Sequence, residues 1–195
     1  MKKLALLGSG ESSVLNAIIK YFKDKDVGIS ILSDNEHSDF YLKSKEEGMN
    51  VKYLSAEKTF EYFSSHDFDL IVLCDYRNEL CADVLETGRF ISIQPSLLPA
   101  FKGKDAIERA FMAGVKVSGV TVYSLNANEN DEKIIAQYPV LISNETHFDE
   151  FKSDIYHLEA VLYPIVIDKL LKDEVFDFPD LMNSCSCEGG CGGCH

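Results

Sequence analysis

Short apolar runs alternate with helix-patterned stretches through the first part of this chain, and that alternation constrains the fold more than any other feature. Residues 3–7 (KLALL) form a short apolar run closed by Gly8-Ser9-Gly10. Val14, Leu15, Ile18, Ile19 and Phe22 then recur at the spacing of one helix face. Residues 27–33 alternate as a strand, and residues 51–54 form another. The stretch 38–47 between them reads as a helix, with Gly48 where a helix C-terminus favours glycine. Ser55 is a candidate N-cap for a helix carrying Phe60 and Phe63. Residues 70–74 (LIVLC) are apolar throughout, as expected of a strand covered on both faces. Strand–helix alternation of this kind implies a parallel sheet with right-handed crossovers.

The pattern changes in the second half. Residues 90–94 read as a strand, punctuated by Pro95 and Pro99, and residues 105–113 as a helix. Strands over 117–125 and 134–141 are separated only by the polar stretch 126–132, so an antiparallel pair is expected. Thr146, with Asp149 three residues on, has a capping-box pattern for a last helix reaching about Lys172. Ile155, Leu158, Val161, Leu162, Ile165 and Val166 form its apolar face, and Pro164 predicts a kink within it. The expected fold class is α/β: a Rossmann-like, mostly parallel sheet with helices on both faces and an antiparallel addition. The expected organisation is one domain over residues 1–172 and a C-terminal extension, with a Cys-rich tail, over 173–195.

Hydrophobic residues make up 46% of the 195-residue chain, enough for a sizeable core. The net charge of −13 argues against nucleic acid or an anionic membrane as partner. It leaves room for an anionic small molecule, because backbone dipoles can hold phosphate inside an acidic protein. No apolar run approaches a membrane span. The N-terminal apolar run is shorter than the ~7–15 residues of a signal-peptide core. A buried first strand in a cytoplasmic protein is the reading that follows.

The glycine loop Gly8-Ser9-Gly10-Glu11-Ser12-Ser13 lies between a strand and a helix, where unpaired N–H groups face outward. It is open to three readings. One is a dinucleotide fingerprint with Asp34 as the ribose-binding acid, although Ser13 replaces the third glycine. Another is a phosphate site for a smaller ligand. The third is a tight turn with no ligand. Glu11 would repel an anion unless it points away.

Residues 88–103 (GRFISIQPSLLPAFKG) resemble the signature of the folate-dependent formyltransferases, chiefly in Pro95-Ser96-Leu97-Leu98-Pro99 after a strand. Further similarities follow in order: Gly119-Val120-Thr121-Val122, then Ile134-Ile135-Ala136-Gln137 with Pro139-Val140, then Glu159 with Tyr163-Pro164. The likeness spans about residues 4–172 and is nearest to the glycinamide ribonucleotide formyltransferases. It implies two substrates, a phosphorylated ribosyl amine and 10-formyltetrahydrofolate. It would place the phosphate at Gly8, Ser9, Gly10, Ser12 and Ser13, although this chain carries an extra residue in that loop. It implies a sugar-side contact from Glu159 and a folate cleft that includes Tyr76 and Leu80, while Arg77, Asn78 and Glu79 depart from the family pattern.

The family catalyses formyl transfer with an asparagine, a histidine and an aspartate. The imidazole moves a proton near neutrality, and the asparagine amide holds the oxyanion. The resemblance puts Ser92 at the asparagine position, Gln94 at the histidine position and Asn130 at the aspartate position. Gln94 cannot titrate, and Asn130 carries no charge. His157 is the nearest substitute by sequence, but it stands two residues from Glu159 and a helix turns about 100° per residue. Ordinary formyl transfer is therefore expected to be lost.

The last residues fall outside that pattern. Cys185, Cys187, Cys191, Cys194 and His195 crowd among glycines, a set that suits zinc, an iron–sulfur cluster or copper. A reduced tail without metal, or one whose cysteines pair on oxidation, is the alternative. Three functions stay open: an inactive formyltransferase-fold protein with a small-molecule cleft, an active formyltransferase with rearranged acid/base groups, and a metal-binding module on a borrowed scaffold. The sequence leaves the oligomeric state undetermined.

Overall fold

The structure, a computed structural model, describes residues 1–11, 14–127, 133–177 and Pro179. Its strands are β1 (Lys2–Gly8), β2 (Val27–Ser33), β3 (Val51–Tyr53), β4 (Leu70–Cys74), β5 (Phe90–Gln94), β6 (Val117–Leu125) and β7 (Lys133–Leu141). They form one sheet in the order β3-β2-β1-β4-β5-β6-β7. Strands β1 to β5 are parallel to their neighbours, β6 runs antiparallel to β5, and β7 antiparallel to β6. The helices are α1 (Leu15–Phe22), α2 (Asp39–Glu46), α3 (Thr59–Ser65), α4 (Ala82–Leu85), α5 (Ala106–Met112) and α6 (Phe148–Leu171).

Strand side chains alternate between the two faces, and this splits the core in two. Leu4, Leu6, Leu70 and Val72 join α1, α2, α5 and α6 on one face. Ala5, Leu7, Ile71 and Leu73 join Phe63 of α3 and Val84 of α4 on the other. That two-sided burial is why residues 70–74 carry no polar side chain. Leu4, Leu6 and Leu7 have no exposed surface, so truncating any of them to alanine costs about 2–5 kcal/mol.

The α/β sheet with its antiparallel addition matches the sequence expectation, with differences at the helix ends. Ser38 caps α2 as a serine should, accepting the Tyr41 N–H at 3.1 Å. Ser55 does not cap: a 3-10 turn over Ala56–Lys58 precedes α3, and the Ser55 side chain makes no capping bond. The capping box at Thr146 also fails to form. The Thr146 hydroxyl accepts the Ser143 N–H at 3.1 Å, which closes a turn one step early and leaves His147 at the N-cap position of α6. Helix α4, a single turn, carries no periodic signal long enough to read. Pro164 lies inside α6, and the helix continues through it to Leu171.

Beyond α6, Asp173 pairs with Lys2 and Arg89, and Phe176 packs against the larger core. Among the described residues, no helix is long and apolar enough to cross a membrane.

The β4–β5 ladder is short. It pairs Ile71 with Phe90 and Val72 with Ile91, and goes no further. The hydroxyl of Tyr163, from the fully buried face of α6, donates to the carbonyl oxygens of Leu73 at 3.0 Å and Ile91 at 3.2 Å. The carboxyl ends of β4 and β5 are thus held by a side chain instead of by each other, next to the cavity described below.

Candidate active site

A cavity of about 420 Å³ opens at the carboxyl ends of β4 and β5, beside the glycine loop that follows β1. In open α/β sheets ligands bind where the strand order reverses. Here the chain runs from β1 outward through β2 to β3, then returns to β4 on the other side of β1. The volume lies within the ~300–1,000 Å³ usual for small-molecule sites. Two lining residues, Asp75 and Asp105, have left-handed backbones, with φ of 48° and 54°. Aspartate tolerates that region better than most residues, and such conformations cluster where a site needs them.

The structure brings Ser92 and Gln94 together in this cavity. They stand two apart on β5, opposite Tyr123 and Thr121 of β6, and so share one face of the sheet. The Gln94 side-chain amide donates to the Gly103 carbonyl at 3.0 Å. The proline-flanked segment after β5 is braced from below. Thr121 donates its hydroxyl to the Ser96 carbonyl at 2.7 Å and accepts the Leu98 N–H at 3.0 Å. Gln137 of β7 donates to the Leu98 carbonyl at 2.9 Å and to the Thr121 hydroxyl at 3.0 Å. This network gives a physical reason for finding Thr121 and Gln137 with residues 95–99.

The glycine loop is engaged from within the chain. The Ser9 N–H donates to the Asp75 carbonyl at 3.4 Å, and the Glu11 N–H donates to the Asp75 carboxylate at 2.8 Å. Gly10 permits this approach, because a Cβ there would lie 1.8 Å from that carboxylate oxygen. Arg77 pairs with the same carboxylate at 3.5 Å, and its backbone N–H donates to the Ser9 hydroxyl at 3.2 Å. Glu11 is exposed and stands at the cavity wall: its carboxylate accepts the Tyr156 hydroxyl at 3.3 Å, and both residues line the cavity. Burial and then Glu11 push the Tyr156 hydroxyl up to about 12.

Glu159 lines the same cavity and is only 5% exposed. Among the described residues, its carboxyl makes no hydrogen bond or ion pair. Burial, with Asp75 and Glu11 adding like charge, pushes it up to about 8. His157 is exposed and faces away from the cavity, and no described histidine lines it. Tyr76 lines the cavity, and burial followed by Asp34 pushes its hydroxyl up to about 12. Leu80 instead packs on the smaller core. Asp34 accepts the Asn78 side-chain amide.

Ser12, Ser13, Asn130, Cys185, Cys187, Cys191, Cys194 and His195 lie outside the described residues. Among the described residues, no cluster of three or more His, Cys, Asp or Glu side chains is placed to hold a metal ion. Sequence reasoning missed Asp75, Tyr123, Lys152 and Tyr156, all of which line the cavity. A readable trace of Asp75 was its place immediately after the apolar run 70–74, at the carboxyl end of a buried strand.

Residues 2–167 match the family described as "Formyl transferase". A phosphoribosylglycinamide formyltransferase of Bacillus subtilis (strain 168) is 32% identical over 186 residues, covering 88% of this chain and 95% of that protein. One from Haemophilus influenzae is 29% identical, covering 86% of each. The crystal structure of phosphoribosylglycinamide formyltransferase from Bacillus halodurans superposes with a TM-score of 0.79 at 30% identity, over 91% of this chain and 100% of that one. With the family matched over all the strands of the sheet and over every described residue lining the cavity, this chain belongs to the formyl transferase family.

Proposed function

We propose that this chain is a formyltransferase-fold protein that has lost ordinary formyl transfer from 10-formyltetrahydrofolate to glycinamide ribonucleotide. It keeps a phosphosugar- or folate-sized cleft and carries a metal- or redox-responsive cysteine tail. One observation carries the reading: at the two positions where the resemblance expects an asparagine and a histidine, the cavity holds Ser92 and a Gln94 whose amide is tied to Gly103. 10-Formyltetrahydrofolate would supply a transferable formyl group, and Tyr76, which lines the cavity, is the residue that the resemblance assigns to the folate side. Ser92 retains one hydrogen-bond donor for an oxyanion. Removing one such donor costs about 10²–10³ in rate, and removing the acid/base group about 10²–10⁴.

The test is an assay of the full-length chain with 10-formyltetrahydrofolate and glycinamide ribonucleotide, run beside the Bacillus subtilis relative. Ligand binding by calorimetry without turnover is the expected result. Turnover that disappears with Glu159→Gln overturns it.

That last outcome belongs to a second reading, an active formyltransferase with rearranged acid/base residues. Glu159 supports it, as a buried carboxyl in the cavity that changes charge near neutrality. The tail is tested separately, by metal content of the full chain against a chain ending at Met182. Equal content in both removes the tail from consideration as a metal site.

A further inference from the structure

The loop between β5 and α5 turns its carbonyl oxygens away from the cavity at two places. Arg109 of α5 donates to the Lys102 carbonyl at 2.9 Å and to the Lys104 carbonyl at 3.3 Å. Gln94 donates to the Gly103 carbonyl between them at 3.0 Å. A trans peptide sets each N–H opposite the carbonyl that precedes it. The N–H groups of Gly103 and Asp105 therefore point away from Arg109, which lies outside the cavity, and both residues line the cavity. Neither N–H has a hydrogen-bond acceptor among the described residues. Backbone handedness alternates along the loop: φ is 53° at Phe101, 90° at Gly103 and 54° at Asp105, and is not positive at Lys102 or Lys104. Alternation of that kind gathers N–H groups into a concavity that suits an anion.

The side chains around the loop favour the same occupant. Lys104 lines the cavity with its ammonium unpaired among the described residues, and Lys152 of α6 lines it too, 3.9 Å from Glu108. Of the acids on the walls, Asp75 is bonded to the Glu11 N–H and to Arg77, Glu11 accepts from Tyr156, and Glu108 faces Lys152. Glu159 is only 5% exposed and has no partner among the described residues. Burial, Asp75 and Glu11 push it up to about 8, so at pH 7 it offers a proton to an oxyanion instead of repelling it. Asp105 is left as the exposed carboxylate that opposes an anion here.

We propose that residues 103–105 form an oxyanion subsite of the cleft, in which the N–H groups of Gly103 and Asp105 and the ammonium groups of Lys104 and Lys152 take a phosphate or carboxylate group of the bound small molecule. Arg109 is its positioning residue, holding two carbonyls back without touching the ligand. The inference rests on the reading of this cavity as a small-molecule cleft and adds the place of the ligand's anionic end. It uses no residue of the glycine loop and requires no formyl transfer.

The test is a titration of the full-length, isotope-labelled protein at pH 7 and constant ionic strength, followed through the backbone amide signals of Gly103 and Asp105. The probes are inorganic phosphate and acetate, each used alone, and the tighter of the two identifies the oxyanion. Both amides should move saturably with it. Lys104→Gln removes an unpaired charge, so the fold is kept and affinity should fall at least about threefold. Asp105→Asn keeps a residue that tolerates the left-handed backbone and drops the opposing charge, so affinity should rise by about the same factor. Arg109→Ala frees the two carbonyls and should abolish saturation at these amides with both lysines intact; if it loses its dispersed spectrum, the other two variants decide. Amides unmoved by both anions overturn the proposal. So does a Lys104→Gln affinity equal to that of wild type, or an Asp105→Asn affinity no higher. Glycinamide ribonucleotide or 10-formyltetrahydrofolate that binds by calorimetry and leaves both amides in place overturns it as well, and that result leaves the cleft itself standing.

Discussion

Gln94 donates its side-chain amide to the carbonyl oxygen of Gly103 at 3.0 Å, so the residue at the family's histidine position is anchored to the loop behind it. The anchor offers a route to gain of function. An imidazole introduced by Gln94→His can give one ring N–H to Gly103, which fixes its tautomer and leaves the other nitrogen toward the cavity. Combined with Ser92→Asn, it returns a proton acceptor and an amide donor to one face of β5. The double variant should raise formyl transfer from 10-formyltetrahydrofolate to glycinamide ribonucleotide by at least about 10²-fold over the wild type. Gln94→Ala should leave turnover unchanged and cost about 1 kcal/mol of stability through the lost hydrogen bond. Single-turnover assays and urea denaturation check both.

Strand β4 was legible because it is buried on both faces, so residues 70–74 carry their own signature in composition, whereas the less buried residues 27–33 were legible through alternation. The antiparallel pairing of β6 and β7 followed from the lack of a helix between them. Helix starts were less legible. Ser38 and Thr146 are both competent capping residues, but Thr146 is drawn into a turn with Ser143 that only the local backbone reveals. In the site, Ser92, Gln94 and Glu159 could be placed through the family resemblance. Asp75 could not, because its role depends on a left-handed backbone and on a hydrogen bond to Glu11, 64 residues away in sequence. An aspartate after a strand otherwise reads as an ordinary turn residue.

Glu159 gives the protein a pH-dependent stability. Its carboxyl is raised from 4.5 to about 8 in the fold. Between those values the folded chain holds a proton that the unfolded chain has released, so stability falls as pH rises. The contribution is full below about 4.5 and is lost through about 8, with a slope of at most about 1.4 kcal/mol per pH unit. Glu159→Gln should flatten that slope and leave the protein more stable than wild type at pH 8. Urea midpoints at pH 5, 6.5 and 8 measure it. Parallel slopes in the two proteins would mean that Glu159 ionises normally.

Tyr163 holds β4 and β5 where their own ladder has stopped, through hydrogen bonds to Leu73 and Ile91. Tyr163→Phe keeps the buried ring and leaves both carbonyls without this donor. It should cost about 1–3 kcal/mol and speed amide exchange at the ends of β4 and β5 more than in β2. Uniform acceleration across the sheet would show that the hydroxyl has no local role.

Gly10 and Asp75 should be energetically coupled. A Cβ on Gly10 would fall 1.8 Å from the Asp75 carboxylate and 2.9 Å from the Arg77 side chain, so Gly10→Ala must push the carboxylate off the Glu11 N–H. Overpacking of this kind costs about 1–3 kcal/mol. Asp75 is the nearer of the two neighbours, so Asp75→Gly should remove most of that cost: the double variant Gly10→Ala/Asp75→Gly should be less destabilised than the sum of the singles by at least about 1 kcal/mol. Additive losses in a double-mutant cycle would mean that alanine strains the loop backbone itself and that the carboxylate is incidental. Coupling of the expected sign would place the loop and Asp75 in one unit, with the glycine needed because a side chain there would push the carboxylate off the Glu11 N–H.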